Sequence, residues 1–139
     1  KLSAKVVKKL TREIDVITTD WEKNFIKEAK KKKAQKIVDV YTEDGLVQAL
    51  PASSFGTFSG KENIRKFWQF ALESGADDMK YHTKNMIVVD EKTVLLSATW
   101  SMNVFQGIIT LEKWVKVKNK WKLAEDNFEV TKFLTSESK

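Results

Sequence analysis

Leu10, Ile14, Ile17, Trp21 and Phe25 recur at three- and four-residue steps, which lays one apolar stripe along one face of a helix. The spacing predicts helix over residues 2–33. Thr18, Thr19 and Asp20 are good N-cap types and predict a break just before Trp21. A run of lysines ends that helix, and "AQKIVDVY" (34–41) predicts a short second one, stopped by turn residues from Thr42 to Gly45. "LVQAL" reads as a strand ending at Pro51, the one proline. The small residues of "ASSFGTFSG" read as a loop. Ser59 is then placed as N-cap of a third helix, with Glu62 as its capping-box partner and Ile64, Phe67, Trp68, Ala71 and Leu72 on one face.

From Met79 the pattern changes. Residues 79–90, 93–105, 107–118 and 120–131 are rich in Val, Ile, Thr, Trp and Phe, with breaks at Asp90–Lys92, Gln106–Gly107 and Asn119–Lys120. They predict a four-strand antiparallel meander. Helices followed by consecutive strands predict an α+β fold with the helices on one face of a curled sheet. A three-residue connection at Lys118–Lys120 would set Val117 opposite Trp121, Val115 opposite Leu123 and Lys113 opposite Glu125. The other face would then hold Ile108, Thr110, Glu112 and Trp114 against Ala124, Asp126, Phe128 and Val130. With large apolar residues on both faces, the face not covered by helices is expected to be a subunit interface.

Composition narrows the classes. The chain has 139 residues, enough for one domain with a real core, and 42% of them are hydrophobic. One domain is expected over 1–139, with 1–18 as an N-terminal helical extension and a frayed tail over 132–139. No apolar run approaches the roughly 20 residues of a membrane helix. Without cysteine and with one histidine, thiolate and multi-histidine metal sites are excluded; no metal or other cofactor is expected. The chain starts at Lys rather than Met, so a soluble cytoplasmic protein and one exported after removal of a leader both stay open. The formal charge is +6, with much of the excess in "KEAKKKKAQK". Lysine there complements the negative end of a helix dipole, and no aromatic residue interleaves it as a base-stacking platform would. Nucleic acid is therefore not the expected partner, although the lysine-rich end stays open to an anionic one.

Three stretches carry a family resemblance: "IVDVYTEDGLVQALP", then "FSGKENIRKFW", then "WVKVKNKWKLAEDNFEV". In order and spacing the run from Trp21 to Val130 resembles the nuclear transport factor 2-like superfamily, particularly its small SnoaL-like and ketosteroid-isomerase-like bacterial members. The resemblance implies a cystatin-like conical barrel, a curved mixed or antiparallel sheet wrapped around the N-terminal helices and enclosing an apolar cavity. It also implies homodimerisation through the outer sheet face. Enzymes and non-enzymatic binding modules share this fold, so fold alone does not assign activity. The ketosteroid isomerases of that superfamily place a base just before a proline, where this chain has Ala49 and Leu50. Their helix-one phenol position falls on Phe25, and their oxyanion-binding carboxyl on Glu112. Two of the three groups are thus replaced, and catalysis by that route is not expected.

The candidate chemistry follows. Glu112 and Asp126 would face each other as a carboxyl pair, one of them raised in pKa by burial and like charge; the alternative is a pair of partly solvated carboxylates at a rim. His82, the one histidine, is a candidate proton shuttle or a surface strand residue. Trp21, Phe25, Tyr41, Phe67, Trp68, Asn103, Trp114 and Phe128 are candidates to line a ligand cavity, although aromatic stripes at helical spacing also serve as plain core. Tyr41, Glu43 and Asp44 otherwise belong to the turn, and Asn103 and Ser101 to a meander strand. The expected function is binding of a small hydrophobic or aromatic molecule. The alternative is a cofactor-independent isomerase, lyase or polyketide-cyclase-like enzyme using the cavity carboxylates with His82.

Overall fold

The computed structural model describes residues 1–134. Helix α1 runs unbroken over Ala4–Lys31. Ser3 caps it by accepting from the Val6 amide at 3.2 Å, and Lys32 closes it in the left-handed conformation (φ 54°). The break expected before Trp21 is absent. Thr18 does not cap; it turns its hydroxyl back onto the Ile14 carbonyl at 2.8 Å, inside the helix. One stripe from Leu10 through Ile14, Thr18 and Trp21 to Phe25 is buried, as the periodicity predicts.

Helix α2 is a single turn, Gln35–Val38, and strand β1 (Tyr41–Leu50) starts earlier than expected. The residues read as a turn lie inside it. Tyr41 pairs with Leu123 and Leu46 with Glu125, so Thr42–Gly45 bulge out of the ladder. The expected loop also contains a strand, β2 (Gly56–Ser59), antiparallel to β1 from Leu46 opposite Ser59 to Ala49 opposite Gly56. Helix α3 (Lys61–Glu73) is preceded by Gly60 at φ 86° rather than capped by Ser59. Ser59 offers its carbonyl to Asn63, and Glu62 pairs with Arg65 at 2.8 Å instead of reaching back.

Strands β3 (Lys80–Asp90), β4 (Thr93–Ser101), β5 (Phe105–Val117) and β6 (Lys120–Phe133) form the expected antiparallel meander. Strand β1 adds parallel to β6, giving a mixed six-stranded sheet ordered β2-β1-β6-β5-β4-β3. Helix α1 packs against β3 and β4, α3 against β1 and β2, and one continuous core fills the space between. The architecture is α+β, a curved sheet around helices, as expected. Strand β6 includes Lys132 and Phe133, two residues of the expected tail; 135–139 of that tail lie outside the described residues.

Three irregularities decide which side chains face the helices. The last hairpin turns on two residues, Lys118 (φ 51°) and Asn119 (φ 67°), so Trp121 lies opposite Lys116 and Leu123 opposite Trp114. A bulge between Lys113 and Trp114 then restores the expected pairs Lys113–Glu125 and Glu112–Asp126. A second bulge between Ile109 and Leu111 reverses the alternation of β5. Ile109, Glu112 and Trp114 point inward, while Ile108 and Thr110, expected beside Glu112, point out.

Gly107, read from sequence as part of a turn, lies within β5; the actual turn is 102–104. Its missing side chain is the reason it is glycine. A Cβ there would collide with the Glu129 carbonyl and crowd the Trp100 indole at 3.0 Å.

Candidate functional site

The inward bulges bring two carboxyls into an aromatic interior. Glu112 on β5 and Asp126 on β6 are cross-strand partners, and both are buried. Glu112 is held by two donors. The Trp114 indole N–H reaches Oε1 at 2.9 Å, and the Tyr81 hydroxyl reaches Oε2 at 2.7 Å. Asp126 accepts from the Tyr41 hydroxyl at 2.6 Å through Oδ2, and that hydroxyl accepts from the Trp68 indole at 3.1 Å. Asp126 Oδ1 has no partner among the described residues.

Burial of two facing carboxyls makes simultaneous ionisation unfavourable. Burial, reinforced by Asp126, pushes Glu112 up to about 8, against the hydrogen bonds from Tyr81 and Trp114. Burial also raises Asp126, to about 6, with the Tyr41 hydrogen bond pulling the other way. Burial and the carboxyl beside each phenol push Tyr41 and Tyr81 well above the ordinary range, which keeps both as donors. Near neutral pH the carboxyl pair therefore holds one proton, favouring Glu112.

The pair lines the smaller of two adjoining chambers, here called the inner and outer parts. The inner part is about 30 Å³, room for roughly two waters or one small polar group, and Trp21, Tyr81, Ile109, Glu112 and Asp126 line it. The outer part is about 230 Å³ and apolar, lined by Phe55 and Phe58 from the β1–β2 hairpin, Phe67 and Ala71 from α3, and Phe105 and Val130 from the sheet. Trp68, Trp100, Met102 and Phe128 line both parts. Trp68 stacks on Phe128 at 6.0 Å, and Trp100 meets Phe128 edge-on at 5.8 Å.

Of the residues singled out from sequence, Trp21, Trp68, Glu112, Asp126 and Phe128 line the inner cavity, and Phe67 the outer one. Tyr41 is buried and hydrogen-bonded to Asp126, not a turn residue at the surface. Trp114 stands behind Glu112 as a donor, and Phe25 is fully buried core packed edge-on against Trp68.

Two candidates lie elsewhere. His82 is exposed, bonded to Ser101 at 2.7 Å, because its neighbour Tyr81 takes the inward position on β3. Asn103 sits in the β4–β5 turn and ties down the α3–β3 loop, donating to the Gly75 carbonyl and accepting from the Asp77 amide, both at 2.9 Å. Neither reaches the carboxyls. Tyr81, Trp100 and Met102 were missed. Alternation on β4 from Val94 to Trp100 was a usable signal for Trp100, but the irregular pairing between Tyr81 and Lys84 hid the facing of β3. Among the described residues, no group of three or more acidic, histidine or cysteine side chains could hold a metal ion.

No protein-family model matches the sequence, and no curated protein matches it. Solved structures do match in fold. A candidate scytalone dehydratase from Novosphingobium aromaticivorans superposes with a TM-score of 0.73 at 15% identity, over 95% of this chain and 91% of that one. A nuclear transport factor 2-like protein of unknown function from Pseudomonas putida gives 0.72 at 11% identity, over 92% and 90%. A protein of unknown function with a cystatin-like fold from Nostoc punctiforme gives 0.65 at 22% identity, over 94% of both chains. At these identities the likeness is one of fold.

Proposed function

We propose that this cystatin-like, nuclear transport factor 2-like fold binds a small apolar or aromatic molecule, with the body of the ligand in the outer cavity and one polar group at the Glu112–Asp126 pair. The observation that carries the reading is an apolar chamber of about 230 Å³ that shares Trp68, Trp100, Met102 and Phe128 with the smaller chamber lined by the buried carboxyl pair. An apolar cavity of about 150 Å³ is enough to hold benzene, so the outer chamber suits one ring with a short substituent. A thermal-shift screen of one-ring compounds at millimolar concentration tests it. Ligands that raise the midpoint should lose their effect when Ala71→Trp fills the outer chamber. A screen in which no such compound stabilises the protein counts against the reading.

A second reading is proton transfer on the bound molecule, favoured by a buried carboxyl pair that holds one proton between two phenols. The structural likeness to the candidate scytalone dehydratase is compatible with it. Asp126→Asn should then abolish turnover even at saturating substrate, and turnover that survives the change rules Asp126 out as the base.

For assembly, we propose a homodimer through the outer face of the sheet. Ile87 and Ile108 project there, exposed, with Leu95 and Val115 half-buried on the same face. Among the described residues no helix is long and apolar enough to cross a membrane.

A further inference from the structure

The inner chamber attracts positive charge from its floor and its walls alike. Glu112 and Asp126 are the charged residues that line it, and both are acidic. The walls are the rings of Trp21, Trp68, Trp100, Tyr81 and Phe128, aromatic groups able to hold a cation over their faces, although the Trp100 indole N–H there has no acceptor among the described residues. Lys84, whose charge reaches Glu112, makes its hydrogen bonds to α1 and not to the pair: its Nζ bonds Asp15 at 2.9 Å and the Thr18 hydroxyl at 2.8 Å. Among the described residues, Asp126 Oδ1 is left without a donor. We propose that the polar end of the ligand is a cationic nitrogen, so that the cavity selects a small one-ring amine in its ammonium form over a neutral or anionic analogue of the same shape.

This rests on reading the cavity as a ligand site, and adds the charge of the ligand. A hydroxyl can donate to Asp126 Oδ1 but compensates no charge, and a carboxylate would add a third acidic group to the same low-dielectric space. An ammonium placed between the two carboxyls replaces the positive charge of the proton they share, so the exchange adds no net charge to the site.

The proton that the pair holds in the empty state is then the group the ligand displaces. The charged and titratable groups facing Glu112 are Asp126 on β6, Tyr41 on β1, and Tyr81 and Lys84 on β3. From α1, Glu22 reaches the Tyr81 amide at 2.6 Å and Asp15 holds Lys84, while α3 contributes the uncharged Trp68. A cation between the carboxyls favours the ionised form of both, so binding expels a proton. Affinity should therefore rise with pH until Glu112 is ionised without the ligand, near about 8.

Benzylamine, benzyl alcohol and benzoate are probes of one shape and three charges. We would titrate them calorimetrically into the full chain at about pH 6 and about pH 8, in buffers of different ionisation heat. The proposal expects benzylamine to bind about tenfold or more tighter than benzyl alcohol. It also expects tightening of up to about tenfold per pH unit with proton release, and no binding of benzoate. Glu112→Gln should bring benzylamine down to the level of benzyl alcohol and remove the pH dependence; retained alcohol binding shows the pocket intact. Asp126→Asn should do the same if the first variant folds poorly. Equal or tighter binding of the alcohol or the acid overturns this inference and leaves the cavity reading standing. If none of the three binds, both fall.

Discussion

Glu112 and Asp126 tie the site to the stability of the whole chain, because both titrate at higher pH folded than unfolded. Glu112 moves from 4.5 to about 8 and Asp126 from 3.8 to about 6. A raised carboxyl binds its proton more tightly in the folded state. Its contribution is therefore full below the unfolded value and is lost as pH rises through the folded one. Denaturant unfolding of the wild type should accordingly show stability falling between about pH 5 and about pH 9, by roughly a few kcal/mol. Glu112→Gln keeps the shape and cannot ionise, so its profile should be flatter over the same range. Wild-type stability that rises across this interval would refute the buried, proton-sharing pair. The phenols bear on the outcome as well: Tyr81→Phe leaves Glu112 Oε2 without its donor and should extend the fall in stability to higher pH than in the wild type.

Among the elements, bulges matter more than strand composition. A regular β5 carrying Ile109 inward would place Glu112 and Trp114 on the outer face; one extra residue between Ile109 and Leu111 turns them in. The last hairpin offers a direct check. Its two turn residues both have positive φ but are Lys118 and Asn119, whereas the Asn-Gly pair suits that conformation best. Lys118→Asn with Asn119→Gly should raise the urea midpoint by the equivalent of about 0.5–1 kcal/mol, and a loss of stability would argue against the two-residue turn. The helices and the meander were legible in the sequence because Leu10 to Phe25 repeat at helical spacing and the later segments are rich in β-formers. The pair Glu112–Asp126 was legible too, since the hairpin's shorter turn and its first bulge offset each other. What escaped was non-local. Strand β2 exists because β1 pairs with its short polar stretch, and Gly107 is set by close approach to Glu129 and Trp100. His82 pointed the wrong way because the pairing of β3 shifts register between Tyr81 and Lys84, which no local pattern records.

At the scale of the molecule, one face of the sheet is spent on the cavity and the other is free for a partner. If Ile87 and Ile108 are at the centre of a homodimer, sedimentation at tens of micromolar should give twice the 16.0 kDa chain mass. Ile87→Lys with Ile108→Lys should then give monomers that unfold at lower midpoints only through lost association. A wild type that sediments as a monomer disproves that interface. The two ends of the cavity lead to a different consequence. Trp68, Trp100 and Phe128 are large rings held by mutual packing, whereas Met102, the fourth residue that lines both parts, is unbranched and has several rotamers of similar energy. The wall that the two parts share can therefore adjust at that thioether. If a ligand enters by way of the outer part, the inner one should fill in a slower second phase whose rate levels off as the outer part saturates with ligand. On that route the time a molecule stays at the carboxyls, more than the strength with which it is held, would follow the motion of a single methionine.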